Sequence, residues 1–177
     1  YPISHIDDHL GEIALCILSA VNVGKIRSDE ELEELCDLSV RGLEELIDYQ
    51  EYPVKAAELA TKARRSLGVG FIGLAHYLAK LGYKYGSQEA WDAVHGLSES
   101  FQYYLLKASN KIAEEKGWCE DFGRTKYADG ILPIDTYKKD VDEICSQPLQ
   151  HDWESLRASI LEHGLRHSTL SAQMPSE

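Results

Sequence analysis

Four thiols, Cys16, Cys36, Cys119 and Cys145, are the strongest potential nucleophiles in the sequence, and their spacing limits what they can do. They form no CxxC pair and no dense framework. A secreted disulfide scaffold is therefore not expected, and a reducing compartment, the cytoplasm, is. Cys16 stands in an apolar run from Glu12 to Asn22, preceded by Gly11 and followed by Gly24. That run reads as a buried strand. Sorted by twos, Ile13, Leu15, Ile17 and Ser19 share one face, and Ala14, Cys16, Leu18 and Ala20 share the other. The second face is mostly small, which suits a strand lining a cavity and equally a strand in a tight core. Cys36 falls on an apolar helical stripe and reads as a buried, inert thiol.

Other chemistry-bearing patterns lead less far. Gly68-Val-Gly70-Phe-Ile-Gly73 matches the dinucleotide fingerprint, with Glu89 at about the right distance. That fingerprint needs a buried strand before it, so that phosphate meets a helix N-terminus. Lys62 to Ser66 is charged and helical in character instead, so the glycines read as helix-packing positions. The pairs His5/His9 and His163/His167 have i, i+4 spacing, but no third ligand stands at a recognised distance. Both pairs read as surface histidines, with Gly164 interrupting the second, and no metal site is expected. Tyr103 and Tyr104 point about 100° apart on a helix, so they read as packing residues rather than a stacked relay. No GxSxG or Walker A sequence occurs.

The elements that position these groups are mainly helices. Ser28-Asp29-Glu30-Glu31 is a capping box, followed by Leu32, Leu35, Cys36, Leu43, Leu46 and Ile47 at helical spacing up to Pro53. Residues 54–65 and 67–81 read as two more helices, the second apolar all round. Ser87 caps a long helix that runs to Gly117. A short helix is expected after Ile134, and another from Trp153 to His163, closed by Gly164. Ser168 to Ala172 reads as a second strand. The pattern of strand, five to seven helices and strand predicts a helix-rich α/β piece. With 177 residues, 44% of them hydrophobic and 27% charged, the composition is that of one ordinary globular unit. A formal net charge of −12 disfavours nucleic-acid binding. No apolar run reaches the roughly 18 residues of a membrane span, and no signal peptide is expected.

Five longer stretches resemble a single family. They are Gly11 to Cys16 (GEIALC), Leu46 to Pro53 (LIDYQEYP), Phe101 to Asn110 (FQYYLLKASN), Gly130 to Asp140 (GILPIDTYKKD) and His163 to Glu177 (HGLRHSTLSAQMPSE). Together they are similar to the large subunit of class I ribonucleotide reductase, over essentially the whole chain. The resemblance implies a partial ten-stranded α/β barrel, with residues 1–177 as a single partial domain. It implies reduction of ribonucleoside diphosphates to deoxyribonucleoside diphosphates by thiyl-radical chemistry, with Cys16 as one of two cysteines that close to a disulfide. It also implies that Ser176 and Glu177 begin a substrate-diphosphate loop ahead of a helix N-terminus. The implied partners are the remaining segments of the large subunit, a small subunit bearing a dimetal–tyrosyl radical, and thioredoxin or glutaredoxin. No cofactor is expected in this chain.

The departures from the family pattern carry as much weight. No cysteine here has Asn two residues before it and Glu two after, the pattern around the family's radical cysteine. The radical-relay tyrosine pair, the tail cysteines and the effector-binding region find no match either. With Tyr1-Pro2 at one end and Pro175-Ser176-Glu177 at the other, the chain is expected to be an internal segment, inert alone. Two rival expectations are a non-catalytic helical binding module of the same family and a cobalamin-dependent reductase.

Overall fold

The computed structural model describes residues 11–145 and 147–174, so His5, His9, Ser176 and Glu177 lie outside the described residues. The first strand, β1 (Ile17–Asn22), is followed by helices α1 (Asp29–Tyr49) and α2 (Lys55–Arg64). Strand β2 (Leu67–Ile72) comes next, then α3 (Leu74–Lys80), the long α4 (Gln88–Lys116), and the short α5 (Pro133–Thr136) and α6 (Val141–Ile144). The helix α7 (Trp153–His163) completes the set. Short 3-10 turns lie at 23–25, 122–124 and 126–129.

Local chemistry fixes several boundaries as the sequence predicts. The Ser28 hydroxyl accepts from the Glu31 amide at 3.3 Å, although Glu31 reaches back to the amide of Arg27, one residue beyond the expected box. Three acidic residues in that first turn suit the positive end of the helix dipole. Ser87 accepts from the Ala90 amide, and Asp152 accepts from that of Ser155. At its end, α4 meets Gly117, whose positive φ lets the chain leave the helix.

The region 67–81 departs from expectation. It is not one apolar helix but β2 followed by α3, with Gly73 at φ 77 making the turn between them. Leu67, Val69 and Phe71 alternate with Gly68 and Gly70, so a period of two lies inside what reads as a helical run. The fingerprint glycines are thus strand residues. Gly68 and Gly70 pair with Leu18 and Ala20 of β1 rather than forming a phosphate-cradling turn. The second strand of the fold lies in mid-chain. The segment expected as a strand, Ser168 to Ala172, adds a third parallel row beside it through a bridge from Val69 to Ser171. Ladder bonds run from the amides of Leu67 and Val69 to the carbonyls of Thr169 and Leu170, and from the Ala172 amide to Val69.

The helices cover one side of these three rows. Val21, Leu67, Val69 and Leu170 face a core with Leu32, Val40, Leu43 and Ile47 of α1 and Phe101, Leu105 and Ile112 of α4. Each such side chain contributes about 1.5–3 kcal/mol when fully buried. Leu46, expected in that stripe, is instead 45% exposed. Arg41 clamps α1 to α4 through two 2.8 Å bonds to Glu115. Tyr103 and Tyr104 meet edge-on, and Tyr103 stacks on His151, so both are packing residues. The other side of the rows is open, and the expectation of a wholly buried first strand fails there: Leu18 is 64% exposed. Among the described residues the sheet does not close on itself.

Candidate active site

The open face of the sheet is where the sequence's most suggestive thiol lies. Cys16 immediately precedes β1 and is solvent-exposed. Its sulfur stands 2.8 Å from the point a Cβ on Gly68 would occupy; the Cδ2 of Leu18 and the Cβ of Ala172 also crowd that point, at 2.5 and 3.2 Å. Cys16, Leu18 and Ala172 therefore share one face, with Gly68 as its floor. Gly70 makes the next stretch of floor, and the segment 172–174 crosses it. Gln173 holds that crossing in place. Its side-chain carbonyl accepts from the Phe71 amide at 3.1 Å and its amide donates to the Phe71 carbonyl at 2.8 Å, as a neighbouring strand's backbone would.

A buried ionic cluster behind the sheet fixes where these rows start, and sequence reasoning missed it. Glu44 of α1 is 1% exposed. One carboxylate oxygen accepts from Nε of Arg65 at 2.7 Å and from Nε2 of His167 at 2.9 Å, and the other accepts from Nε of Arg166 at 2.7 Å. Arg65 also donates to Asp48, from the left-handed conformation (φ 47) that ends α2. Ser109 of α4 accepts from the His167 amide and pairs with Nδ1 of the same residue at 2.9 Å. Arg65 leads into β2, and Arg166 and His167 lead into the 168–172 row. The cluster thus anchors to one helix pair both β2, which carries the glycine floor, and the 168–172 row beside it.

Its electrostatics are internally consistent. Burial alone would raise the Glu44 carboxyl, but the bonds from His167, Arg65 and Arg166 outweigh it and hold the group down at about 2. Desolvation lowers His167 against the pull of Glu44, so the ring is neutral, with Nε2–H donating to Glu44. His167 is fully buried, which corrects the expectation of a surface histidine: Gly164 does end α7, but it turns the chain inward. The sequence did carry a hint, since Glu44 falls among Val40, Leu43 and Ile47 on the buried stripe of α1.

The remaining thiols lie elsewhere. Cys36 is buried on α1 as expected, and burial pushes it up to about 12. Burial likewise raises Cys119 to about 11. Cys145 is buried at the end of α6, where its thiol donates to Asp92. Burial also raises Cys16, though its sulfur remains on the exposed face. All four are free thiols. Among the described residues no group of three or more His, Cys, Asp or Glu is placed to hold a metal, and no helix is long and apolar enough to cross a membrane. A separate, largely apolar cavity of about 580 Å³ lies between α3, α4 and the 133–149 region, with Trp91, Ile144 and Leu149 in its walls. It shares no residue with the Cys16 face.

Comparison with known proteins identifies the family. Residues 3–177 match the family model described as ribonucleotide reductase, barrel domain. The chain is 60% identical over 176 residues to the ribonucleoside-diphosphate reductase subunit alpha of Haemophilus influenzae, covering 99% of this chain and 23% of that protein. It is 57% identical over 131 residues to ribonucleoside-diphosphate reductase 1 subunit alpha of Escherichia coli, covering 74% of this chain and 17% of the relative. The alpha subunit of Enterobacteria phage T4 is 42% identical over 178 residues, 99% of this chain and 23% of its own length. The chain therefore spans about a quarter or less of these relatives, and it belongs to the ribonucleotide reductase barrel-domain family.

Proposed function

We propose that this chain is the part of a ribonucleoside-diphosphate reductase large subunit that supplies one of the two thiols reducing the substrate. The observation that supports this reading is the place of Cys16, whose sulfur lies on the open, small-residue face of a parallel sheet while the other three thiols are buried. In the reaction, the 2′ C–O bond of a ribonucleoside diphosphate breaks, a C–H bond forms and the oxygen leaves as water. The two electrons come from two thiols that close to a disulfide. Cys16 is one, and the second belongs to protein outside this chain, with Cα atoms about 4.4–6.8 Å apart. A radical cysteine outside this chain starts the chemistry.

On the same reading, β1, β2 and the 168–172 row are staves of a ten-stranded α/β barrel. The helices form its outer layer, the open face its lumen, and residues 1–177 make one partial domain. Ser176 and Glu177 begin the substrate-diphosphate loop. The partners are the rest of the large subunit, a small subunit carrying a dimetal–tyrosyl radical, and thioredoxin or glutaredoxin in the cytoplasm. This chain alone is inert. In the complete subunit, Cys16→Ser should abolish multiple turnover with a dithiol reductant while leaving diphosphate binding near normal. Unchanged turnover would remove Cys16 from the chemistry and leave a helical binding module as the better description.

A further inference from the structure

We infer that two glycines of β2 divide the support of this site between them: Gly68 positions the Cys16 thiol, and Gly70 admits the 172–174 segment that leads to Ser176 and Glu177. The inference rests on the proposed role of Cys16 and adds residues to it. Neither glycine is needed for its backbone freedom, because neither is among the residues with positive φ. Both lie in regular strand pairing, where glycine weakens the strand and offers nothing to pack. What remains as a reason for them is the missing Cβ.

The two empty positions differ in their tightest neighbours, although Ala172 borders both. At Gly68 a Cβ would stand 2.5 Å from Leu18 Cδ2 and 2.8 Å from the Cys16 sulfur, with the Ala172 Cβ less crowded at 3.2 Å. The Leu18 tip is exposed and can swing aside. The sulfur sits one bond beyond its Cβ, so restoring a normal contact moves it by roughly an ångström, enough to spoil a reacting geometry. At Gly70 the nearest atoms all belong to the crossing segment: the Ala172 carbonyl oxygen at 2.6 Å, Met174 Cε at 2.9 Å and Gln173 Cα at 3.5 Å. Two of these are backbone atoms that cannot rotate away, so a methyl there lifts the segment off β2.

The two substitutions should therefore separate kinetically in the complete, reconstituted reductase. Gly68→Ala is expected to lower kcat about ten- to a hundred-fold, with KM for the ribonucleoside diphosphate within about two-fold of wild type. Gly70→Ala is expected to raise KM about ten-fold, with kcat at saturation within about two-fold. Parallel changes in both parameters, or none, would overturn the division of roles. A double-mutant cycle on thermal unfolding covers the case in which Gly68→Ala folds poorly. The drop in Tm caused by Gly68→Ala should shrink in a Cys16→Ala background, where the crowding sulfur is gone, and an undiminished drop contradicts the contact. Cys16→Ser separates the two levels of the account. If it turns over normally, the reducing role itself is lost; if it is inactive while the two glycine variants behave alike, only the glycine assignment fails.

Discussion

Nε2 of His167 donates to the carboxylate of Glu44 at 2.9 Å, joining positions 123 residues apart in a region where neither side chain reaches solvent. With Arg65 and Arg166 on the same carboxylate, this contact makes one helix the reference point for two strands. Removing the carboxylate leaves two guanidinium groups without their buried counter-charge. Glu44→Ala should cost about 3–5 kcal/mol in denaturant unfolding. A loss below about 1 kcal/mol would mean that Asp48 and solvent, not Glu44, compensate the arginines.

The same cluster sets an acid limit with a definite sign. Glu44 is held at about 2 in the fold against an ordinary 4.5, so it stabilises the fold above the ordinary value. That stabilisation drains as pH falls from about 4.5 toward 2, because the unfolded chain takes the proton first. His167 is also lowered, from 6.5, and its stabilisation drains as pH falls below that value. Stability should decline as pH falls below 6.5, and His167→Gln should flatten that part of the curve specifically. A variant curve parallel to wild type between pH 5 and 7 would contradict the buried neutral histidine.

Native thiol labelling should follow burial. Iodoacetamide should reach Cys16 at least about a hundred-fold faster than Cys36 or Cys119, because Cys16 is exposed and the other two are buried. All four should react alike in denaturant. Comparable native rates at Cys36 and Cys16, read by peptide mass spectrometry, would place Cys16 off the open face.

Gln173 offers a local test of the third row. Its side chain occupies both backbone groups of Phe71, so Gln173→Ala should speed hydrogen exchange of the Phe71 amide about five- to ten-fold. The Val69 amide, bonded to the backbone of Leu170, should be unaffected. Equal acceleration at both would mean that the whole row had detached.

Helix ends were legible from the sequence because they rest on nearest-neighbour chemistry. Ser28, Ser87 and Gly117 act where they stand, and the Trp153–His163 helix has the expected bounds. The face occupied by Cys16 was legible too, since alternation in a strand is a local rule. β2 was not. Its period of two spans only Leu67 to Phe71, too short to decide against a helix until the β1 partner is known, and that partner is set by pairing across some fifty residues. The Glu44 cluster was hidden for the same reason. Its members are scattered along the chain, and only the fold gathers them, leaving as a local trace an acidic residue on a buried stripe. Ser176 and Glu177 lie outside the described residues, and their roles rest on family resemblance.

The most direct test follows the electrons. The complete, pre-reduced subunit with its tail cysteines replaced by serine, activated by its radical partner and given one equivalent of ribonucleoside diphosphate without external reductant, should form one deoxyribonucleotide for each disulfide that contains Cys16. Peptide mapping after acid quench reads both quantities. Deoxyribonucleotide formed while Cys16 remains a free, alkylatable thiol would contradict the account.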